Sequence, residues 1–333
     1  MTKEAGRPAR GAASAIINLL TQAEAALIVS HVAPDGDTLG SALALAWALE
    51  ARGTAVTCFD AEEPPANLRF LPGAERIVHA LPPVLPPLVV FIDCAEARRA
   101  GSLLRPELLR DKVTVNIDHH VSNNLYADWN YVDTRAAATG EIIYGLLRRL
   151  GPVRDERTAL CLYTAIVTDT GRFSFSNTTA RSLRVAAALR PYVDVAALNE
   201  MIYERRSLAQ ARLLERALSR LTFPADGRVV LVALSLADYA ETGAELNMSE
   251  SVINYIRAFQ GVEAAVLLKE SEPGLVKVSM RSNGPTDVNR VAASFHGGGH
   301  KRAAGCVCRG DLRTVTKNVL AALKEEMNSG RDN

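Results

Sequence analysis

The segment Asn116-Ile117-Asp118-His119-His120 is the strongest indication of chemistry in this chain, because three potential metal ligands directly follow the apolar run 113–115. Acidic or imidazole side chains also follow the apolar runs 26–29, 89–92 and 165–167. Together these positions give six candidate metal ligands: His31, Asp35, Asp37, Asp93, His119 and Asp169. Four carboxylates and two imidazoles suit manganese or a similar divalent ion, and the set lacks the thiolates that structural zinc prefers.

The four apolar runs are predicted to be buried strands that bring these ligands together. Parallel strands of an open α/β sheet point their C-terminal ends at one edge, where ligands bind. Side chains far apart in sequence are therefore expected to converge there. Six ligands are too many for one open catalytic ion, so the sequence predicts a two-metal site in which one carboxylate is shared.

Each motif taken alone has a simpler interpretation. Asp35-Gly36-Asp37 has the composition of an ordinary turn, and Asp93 or Asp169 alone would more often cap a helix. The adjacent His119 and His120 would be unremarkable in a solvated loop. Four separate strand ends with matching chemistry favour the metal site over these interpretations.

The same residues resemble a known family. Four motifs of the DHH phosphoesterases are matched in order by residues 31–41, Asp93, residues 118–120 and residues 168–171. The segment 297–305, Gly-Gly-Gly-His-Lys-Arg-Ala-Ala-Gly, is similar to the signature of the smaller domain that accompanies them. The resemblance covers residues 12–328, and no candidate ligand departs from it.

The resemblance implies how the ligands are divided. His31, Asp35 and a bridging Asp93 would hold one manganese ion, and Asp37, Asp93, His119 and Asp169 would hold the other. Magnesium or cobalt suits the same oxygen-rich site.

The expected catalytic residues are Asp93, Asp118 and His120. Asp118 would orient a ligating imidazole, and His120 would either protonate the leaving oxygen or bind phosphate. Two metal ions held in this way make hydroxide at neutral pH and stabilise both the attacking and the leaving oxygen.

A second set of residues is expected to bind the substrate. The glycines of the segment 297–305 allow backbone N–H groups to approach an anion closely. The neighbouring His300, Lys301 and Arg302 add positive charge. Arg281 offers a guanidinium fork for a second phosphate. The alternative interpretation of the triple glycine is a mobile loop. The predicted substrate-binding residues are Arg281, Ser282, Gly298, Gly299, His300, Lys301 and, as a weaker candidate, Asn123.

Within the family, the size and layout of the chain resemble the group of nanoRNases and pAp phosphatases. These enzymes cleave very short single-stranded oligonucleotides to mononucleotides and remove the 3′-phosphate of 3′-phosphoadenosine 5′-phosphate (pAp). The alternatives are a cyclic-di-AMP or pApA phosphodiesterase, a RecJ-like single-strand exonuclease and a catalytically silent nucleotide sensor. The sequence leaves open the physiological substrate, the cleavage polarity and whether the chain forms a homodimer.

Length and composition fit a two-domain enzyme for small ligands. A chain of 333 residues suits two domains. Its 38 basic and 37 acidic residues nearly cancel, so no overall field attracts long nucleic acid. The expected fold is α/β, with a parallel helix-covered sheet in residues 12–195, a helical connector in 196–222 and a smaller α/β domain in 223–328. The active site is expected in the cleft between the two domains.

The sequence also predicts a cytoplasmic protein. No apolar run approaches the roughly 20 residues that cross a bilayer, and residues 1–12 lack the apolar core of a secretory signal. The five cysteines are scattered, which favours reduced thiols over a disulfide framework. Membrane association is therefore not expected.

Overall fold

The computed structural model describes residues 11–329 and divides between Arg205 and Arg206 into two compact units. The predicted domain ranges, including the connector 196–222, stay a prediction. None of the helices in residues 11–329 is long and apolar enough to span a membrane. The elements of the first unit are α1 (Ala12–Gln22), β1 (Ala25–Val29), α2 (Gly36–Glu50), β2 (Ala55–Phe59), β3 (Leu88–Ile92), β4 (Val113–Asp118), β5 (Trp129–Val132), α3 (Thr139–Leu150), α4 (Glu156–Asp169), α5 (Ala180–Leu189) and α6 (Val195–Asn199).

The first unit is built on a five-stranded parallel sheet in the order β2-β1-β3-β4-β5. All five residues of β3 are buried, as expected of a central strand covered on both faces. This confirms the predicted parallel α/β sheet. Strand and helix do not alternate throughout, however, because 3₁₀ turns at Ala97–Ala100 and Pro106–Leu109 connect β3 to β4 in place of an α-helix.

Helices α2 and α4 pack closely against each other because glycines lie at their contact. A Cβ atom on Gly36 would lie 2.4 Å from Thr168 Oγ1, and one on Gly40 would lie 2.4 Å from the Cys161 carbonyl oxygen. The close approach brings the C-terminal end of α4 to the N-terminal end of α2. Asp169 and Asp37 are thereby carried by neighbouring helix ends.

The prediction of a strand ending at Asp169 was wrong, because this residue ends helix α4. A short apolar run such as 165–167 does not distinguish a buried strand from a buried helix. Asp155 caps the start of α4 by accepting a hydrogen bond from the Thr158 N–H. The helix is apolar on several sides because α2 and other helices cover it.

The second unit contains a mixed sheet in the order β6-β7-β8-β10-β9, as expected of a smaller α/β domain. Strands β6 and β7 are parallel, and the other neighbours are antiparallel. Val229 and Leu231 pack into one apolar cluster, and Val230 and Val232 pack into another, so both faces of the sheet are covered. The elements are α7 (Leu208–Ser219), β6 (Val229–Leu234), α8 (Leu236–Thr242), α9 (Glu250–Ile256), β7 (Ala264–Glu272), β8 (Leu275–Ser282), α10 (Val288–Ser294), β9 (Gly298–His300), β10 (Ala303–Arg309) and α11 (Leu312–Ser329).

Two features of local structure differ from the interpretation of the sequence. The helical stretch expected in 196–222 is interrupted, since Glu200–Glu204 forms a π-helical turn and α7 begins only after its cap, Ser207. The glycine segment, for which a loop is the alternative interpretation, contains the edge strand β9, which pairs with β10. Glycine is needed at position 299, where φ is +144° and a Cβ atom would lie 2.5 Å from the Ala303 carbonyl oxygen.

Candidate active site

The C-terminal edge of the first sheet gathers the predicted ligands. His31 lies just beyond β1, Asp93 directly follows β3, and Asp118 is the last residue of β4. Asp169 reaches this edge from the end of α4. The structure thus brings together all six of the predicted ligands in two neighbouring clusters.

The first cluster contains His31, Asp35 and Asp93. His31 Nε2 lies 3.5 Å from Asp93 Oδ2 and 4.0 Å from Asp35 Oδ1. The other ring nitrogen, Nδ1, lies 2.9 Å from the Val32 carbonyl oxygen, which directs Nε2 towards the carboxylates. Asp35 also caps α2, since its Oδ1 accepts hydrogen bonds from two N–H groups of the first turn.

The second cluster contains Asp37, His119 and Asp169. His119 Nε2 lies 3.8 Å from Asp37 Oδ2 and 3.8 Å from Asp169 Oδ2. Its Nδ1 lies 3.2 Å from the Ala136 carbonyl oxygen. Both histidines therefore direct Nε2 into the site.

Asp93 lies between the two clusters. Its Oδ2 faces His31, and its Oδ1 lies 3.6 Å from His119 Nε2. The residue has a φ of +60°, an uncommon conformation for a non-glycine residue and one that occurs preferentially at functional sites. One carboxylate thus presents a separate oxygen to each cluster.

The donor set fits divalent cations. Asp37 and Asp93 are almost fully buried, and no described Lys or Arg side chain forms an ion pair with Asp37, Asp93 or Asp169. Burial and the nearby Asp93 charge raise the pKa of Asp37 well above its ordinary value. Burial, with the charges of Asp35 and Asp93, raises the pKa of Asp169 to about 7 although His119 opposes the change. The carboxylates need positive charge to remain ionised together, and oxygen and imidazole ligands suit a hard or borderline cation.

Asp118 and His120 form a separate hydrogen-bonded pair. Asp118 is fully buried, and its Oδ1 lies 2.7 Å from His120 Nδ1. Burial lowers the pKa of His120, but the hydrogen bond to Asp118 and the charge of Asp93 outweigh it and raise the pKa overall. From His119, the Asp118 side chain accepts only the backbone N–H. The expected role of Asp118 in orienting a ligating imidazole stays a prediction.

Asn123 supports Asp118 from the other side. Its Nδ2 lies 2.5 Å from Asp118 Oδ2 and 2.7 Å from Asn116 Oδ1. Its Oδ1 accepts the N–H of Leu125. These contacts place Asn123 behind the Asp118–His120 pair.

The N-terminal end of α3 also contacts the predicted ligands, although the sequence did not indicate it. The N–H groups of Thr139 and Gly140 donate to the Asp37 carboxylate at 2.6 and 2.9 Å, and Thr139 Oγ1 donates to Asp93 Oδ1 at 2.8 Å. Helix N-termini favour negative charge, so this position stabilises two of the predicted ligands. The segment 136–140 is mostly alanine and carries no charged side chain, so its composition gave little signal.

The predicted substrate residues of the second unit lie on neighbouring strands. Arg281 on β8 pairs with Ala303 on β10, which in turn pairs with His300 on β9. Directly opposed residues of antiparallel strands share a face, so Arg281 and His300 flank the small Ala303. Gly298 and Gly299 belong to the same edge strand, and Lys301 directly follows it. Ser282 is buried, and its hydroxyl contacts Gly284.

Comparison with known proteins identifies the family of this chain. Residues 25–166 match the DHH family, N-terminal domain, and residues 227–329 match the DHHA1 domain. The chain therefore belongs to the DHH phosphoesterase family, whose members are metal-dependent hydrolases.

Its relatives narrow the class. The chain is 37% identical over 305 residues to the bifunctional oligoribonuclease and PAP phosphatase NrnA of Thermus thermophilus, covering 90% of this chain and 89% of that protein. It is 27% identical over 296 residues to the protein of the same name from Bacillus subtilis, covering 87% and 91%. The crystal structure of an exopolyphosphatase-related protein from Bacteroides fragilis has the same fold, with a TM-score of 0.88 at 24% identity and coverage of 99% and 100%.

Proposed function

We propose that this chain hydrolyses very short oligonucleotides to mononucleotides and removes the 3′-phosphate of pAp, using two manganese ions. The central position of Asp93, with one oxygen towards each ligand cluster, is the observation that carries this proposal. The names of the relatives from Thermus thermophilus and Bacillus subtilis support the choice of substrates.

The residues divide into two ligand sets. His31, Asp35 and Asp93 would hold one ion, and Asp37, Asp93, His119 and Asp169 would hold the other. When bound, such ions supply hydroxide at neutral pH and neutralise the charge that develops on the phosphate.

The Asp118–His120 pair would act on the substrate. Because Asp118 Oδ1 accepts a hydrogen bond from His120 Nδ1–H, the proton on this nitrogen is fixed. The second ring nitrogen, Nε2, is then the atom that protonates the leaving oxygen or binds the scissile phosphate. Asn123 would act as a positioning residue, since it holds the opposite carboxylate oxygen of Asp118.

The second unit would bind a terminal phosphate. Arg281 and His300 lie on one face of the sheet on either side of Ala303, so both side chains could contact the same anion. Ser282, Gly298, Gly299 and Lys301 would complete this phosphate site. Because Ser282 is buried and contacts Gly284, its contribution would be to fix the end of β8 beside Arg281.

A panel of substrates tests the proposal. The metal-free protein, prepared with EDTA, should turn over neither pAp nor a 5′-phosphorylated dinucleotide, and added Mn²⁺ should restore both activities. Parallel assays with pApA and cyclic-di-AMP separate the nanoRNase function from the cyclic-dinucleotide alternative. Binding of these nucleotides without turnover under every metal condition would instead support a nucleotide sensor.

A further inference from the structure

Arg99 lies beside the first ligand cluster, although the sequence around it does not indicate this position. It belongs to the 3₁₀ turn Ala97–Ala100, which follows Asp93. Its carbonyl oxygen accepts the N–H of Val32 at 2.7 Å, so the turn is fixed to the segment that carries His31. The side chain is exposed, and one terminal nitrogen lies 3.3 Å from His31 Nδ1.

Within residues 11–329, the hydrogen-bonding contact of this guanidinium is with His31 Nδ1. His31 Nδ1 also lies 2.9 Å from the Val32 carbonyl oxygen. A histidine that binds a cation through Nε2 carries its proton on Nδ1 and donates it to such a carbonyl. Nδ1 then cannot accept a hydrogen bond from Arg99, so the Arg99 N–H groups stay available beside the cluster.

Acidic side chains do not neutralise Arg99 either. Within residues 11–329, no carboxylate lies within ion-pairing distance of its guanidinium. The preceding Arg98 differs, because it pairs with Glu96. Arg99 is therefore an exposed, uncompensated positive charge at the rim of a site that is itself rich in carboxylates.

We propose that Arg99 binds the substrate phosphate that adjoins the scissile one on the side away from the substrate's terminal phosphate, an inference that rests on the proposed oligonucleotide hydrolysis. The guanidinium fork matches two phosphate oxygens. Arg99 contacts the Nδ1 side of His31, whereas the ligand cluster lies on the Nε2 side. The His31 ring thus separates the Arg99 phosphate from the phosphate that reacts at the ligands.

A comparison of two substrate lengths tests this inference. A 5′-phosphorylated trinucleotide carries one more phosphate than the corresponding dinucleotide. Arg99→Ala should lower kcat/KM for the trinucleotide about tenfold more than for the dinucleotide, mainly through KM. Arg99→Lys, which keeps the charge but loses the fork, should lie between wild type and Arg99→Ala, and Arg98→Ala on the same turn serves as the matched control.

Two further measurements keep the test independent of turnover. Calorimetric titration with Mn²⁺ should give the same affinity for Arg99→Ala and wild type. Fluorescence anisotropy of a labelled trinucleotide, measured in EDTA, should show weaker binding to Arg99→Ala than to Arg98→Ala.

Equal losses on both substrates, reduced Mn²⁺ affinity or no loss at all would each overturn the inference. If wild type cleaves neither substrate, the proposed function fails instead, and the anisotropy comparison still decides whether Arg99 binds the trinucleotide.

Discussion

Asp93 Oδ1 lies 3.6 Å from the Nε2 atom of His119, while the second oxygen of the same carboxylate faces a histidine of the neighbouring cluster. Removing this one side chain therefore affects both ligand clusters. No other carboxylate of the site has one oxygen directed at each of the two Nε2 atoms within the described residues.

Asp93→Ala should abolish hydrolysis of every substrate while leaving the fold largely intact. The substitution removes a group at a strand end and little core volume, so the far-UV circular dichroism spectrum should match that of wild type. Asp111→Asn, at an exposed position on the same unit, is the control and should keep full activity. Substantial manganese-dependent turnover by Asp93→Ala would rule out the shared-carboxylate assignment.

Metal binding should release protons at neutral pH. Burial lowers the pKa of His31, but its hydrogen bond to Asp93 and the charges of Asp35 and Asp93 raise the pKa to about 9. Burial also lowers the pKa of His119, but the charges of Asp169, Asp93 and Asp37 outweigh it and raise the pKa to about 10. Both imidazoles must lose a proton from Nε2 to bind a cation. Mn²⁺ affinity should therefore increase with pH, and calorimetry in two buffers of different ionisation enthalpy should detect the released protons.

The same pKa values predict how the stability of the metal-free protein depends on pH. Because both folded-state pKa values exceed the ordinary 6.5, the two protonated histidines stabilise the fold fully below pH 6.5. This contribution is lost as the pH rises through 9 and 10. Urea unfolding in EDTA should show the decline, and His31→Gln/His119→Gln should reduce it. An unchanged slope in the double variant would contradict the assignment.

Thr139 should influence metal affinity although it is not a ligand. Thr139→Val removes the hydrogen bond to Asp93 Oδ1 and should lower Mn²⁺ affinity by about tenfold, as is typical when a partner of a ligating group is lost. The control is Thr316→Val in the second unit, where the hydroxyl contacts only the Leu312 carbonyl oxygen of its own helix. Equal affinities in both variants would show that the Thr139 hydroxyl does not orient Asp93.

Arg281→Ala should weaken the capture of phosphorylated dinucleotides without loss of manganese. A charge-assisted hydrogen bond is worth roughly 1.5–3 kcal/mol, so kcat/KM should fall about tenfold or more. Bis-p-nitrophenyl phosphate has no terminal phosphate, so its hydrolysis should change far less. Lys277→Ala, on the same strand and face, is the matched control. Equal losses on both substrates would place Arg281 in the chemistry or the fold.

The sequence predicted well which side chains lie close together, because they directly follow buried elements. His31, Asp93 and His119 lie at the ends of strands that a short apolar run identifies. Asp169 lies beside the other predicted ligands, as expected, although its element is a helix, since the end of either element reaches the same edge of the sheet.

The supporting contacts were not predictable in the same way. Thr139 and Gly140 act through backbone N–H groups and one hydroxyl, which depend on where α3 begins relative to Asp37. Arg99 is one of several arginines in its segment, and only the folded turn distinguishes it from Arg98. Such information is in the three-dimensional arrangement and not in local composition.

The relative rate on short and long strands tests the central claim most directly. With a formal net charge of +1 and no aromatic-rich basic groove visible in the sequence, affinity for long strands should be poor. At equal concentration with Mn²⁺, a 5′-phosphorylated dinucleotide should be hydrolysed faster than a strand of about 50 nucleotides. Such a strand is much longer than the roughly 4–16 nucleotides that one single-strand-binding fold covers. Faster degradation of the long strand would contradict the nanoRNase function and favour a RecJ-like exonuclease.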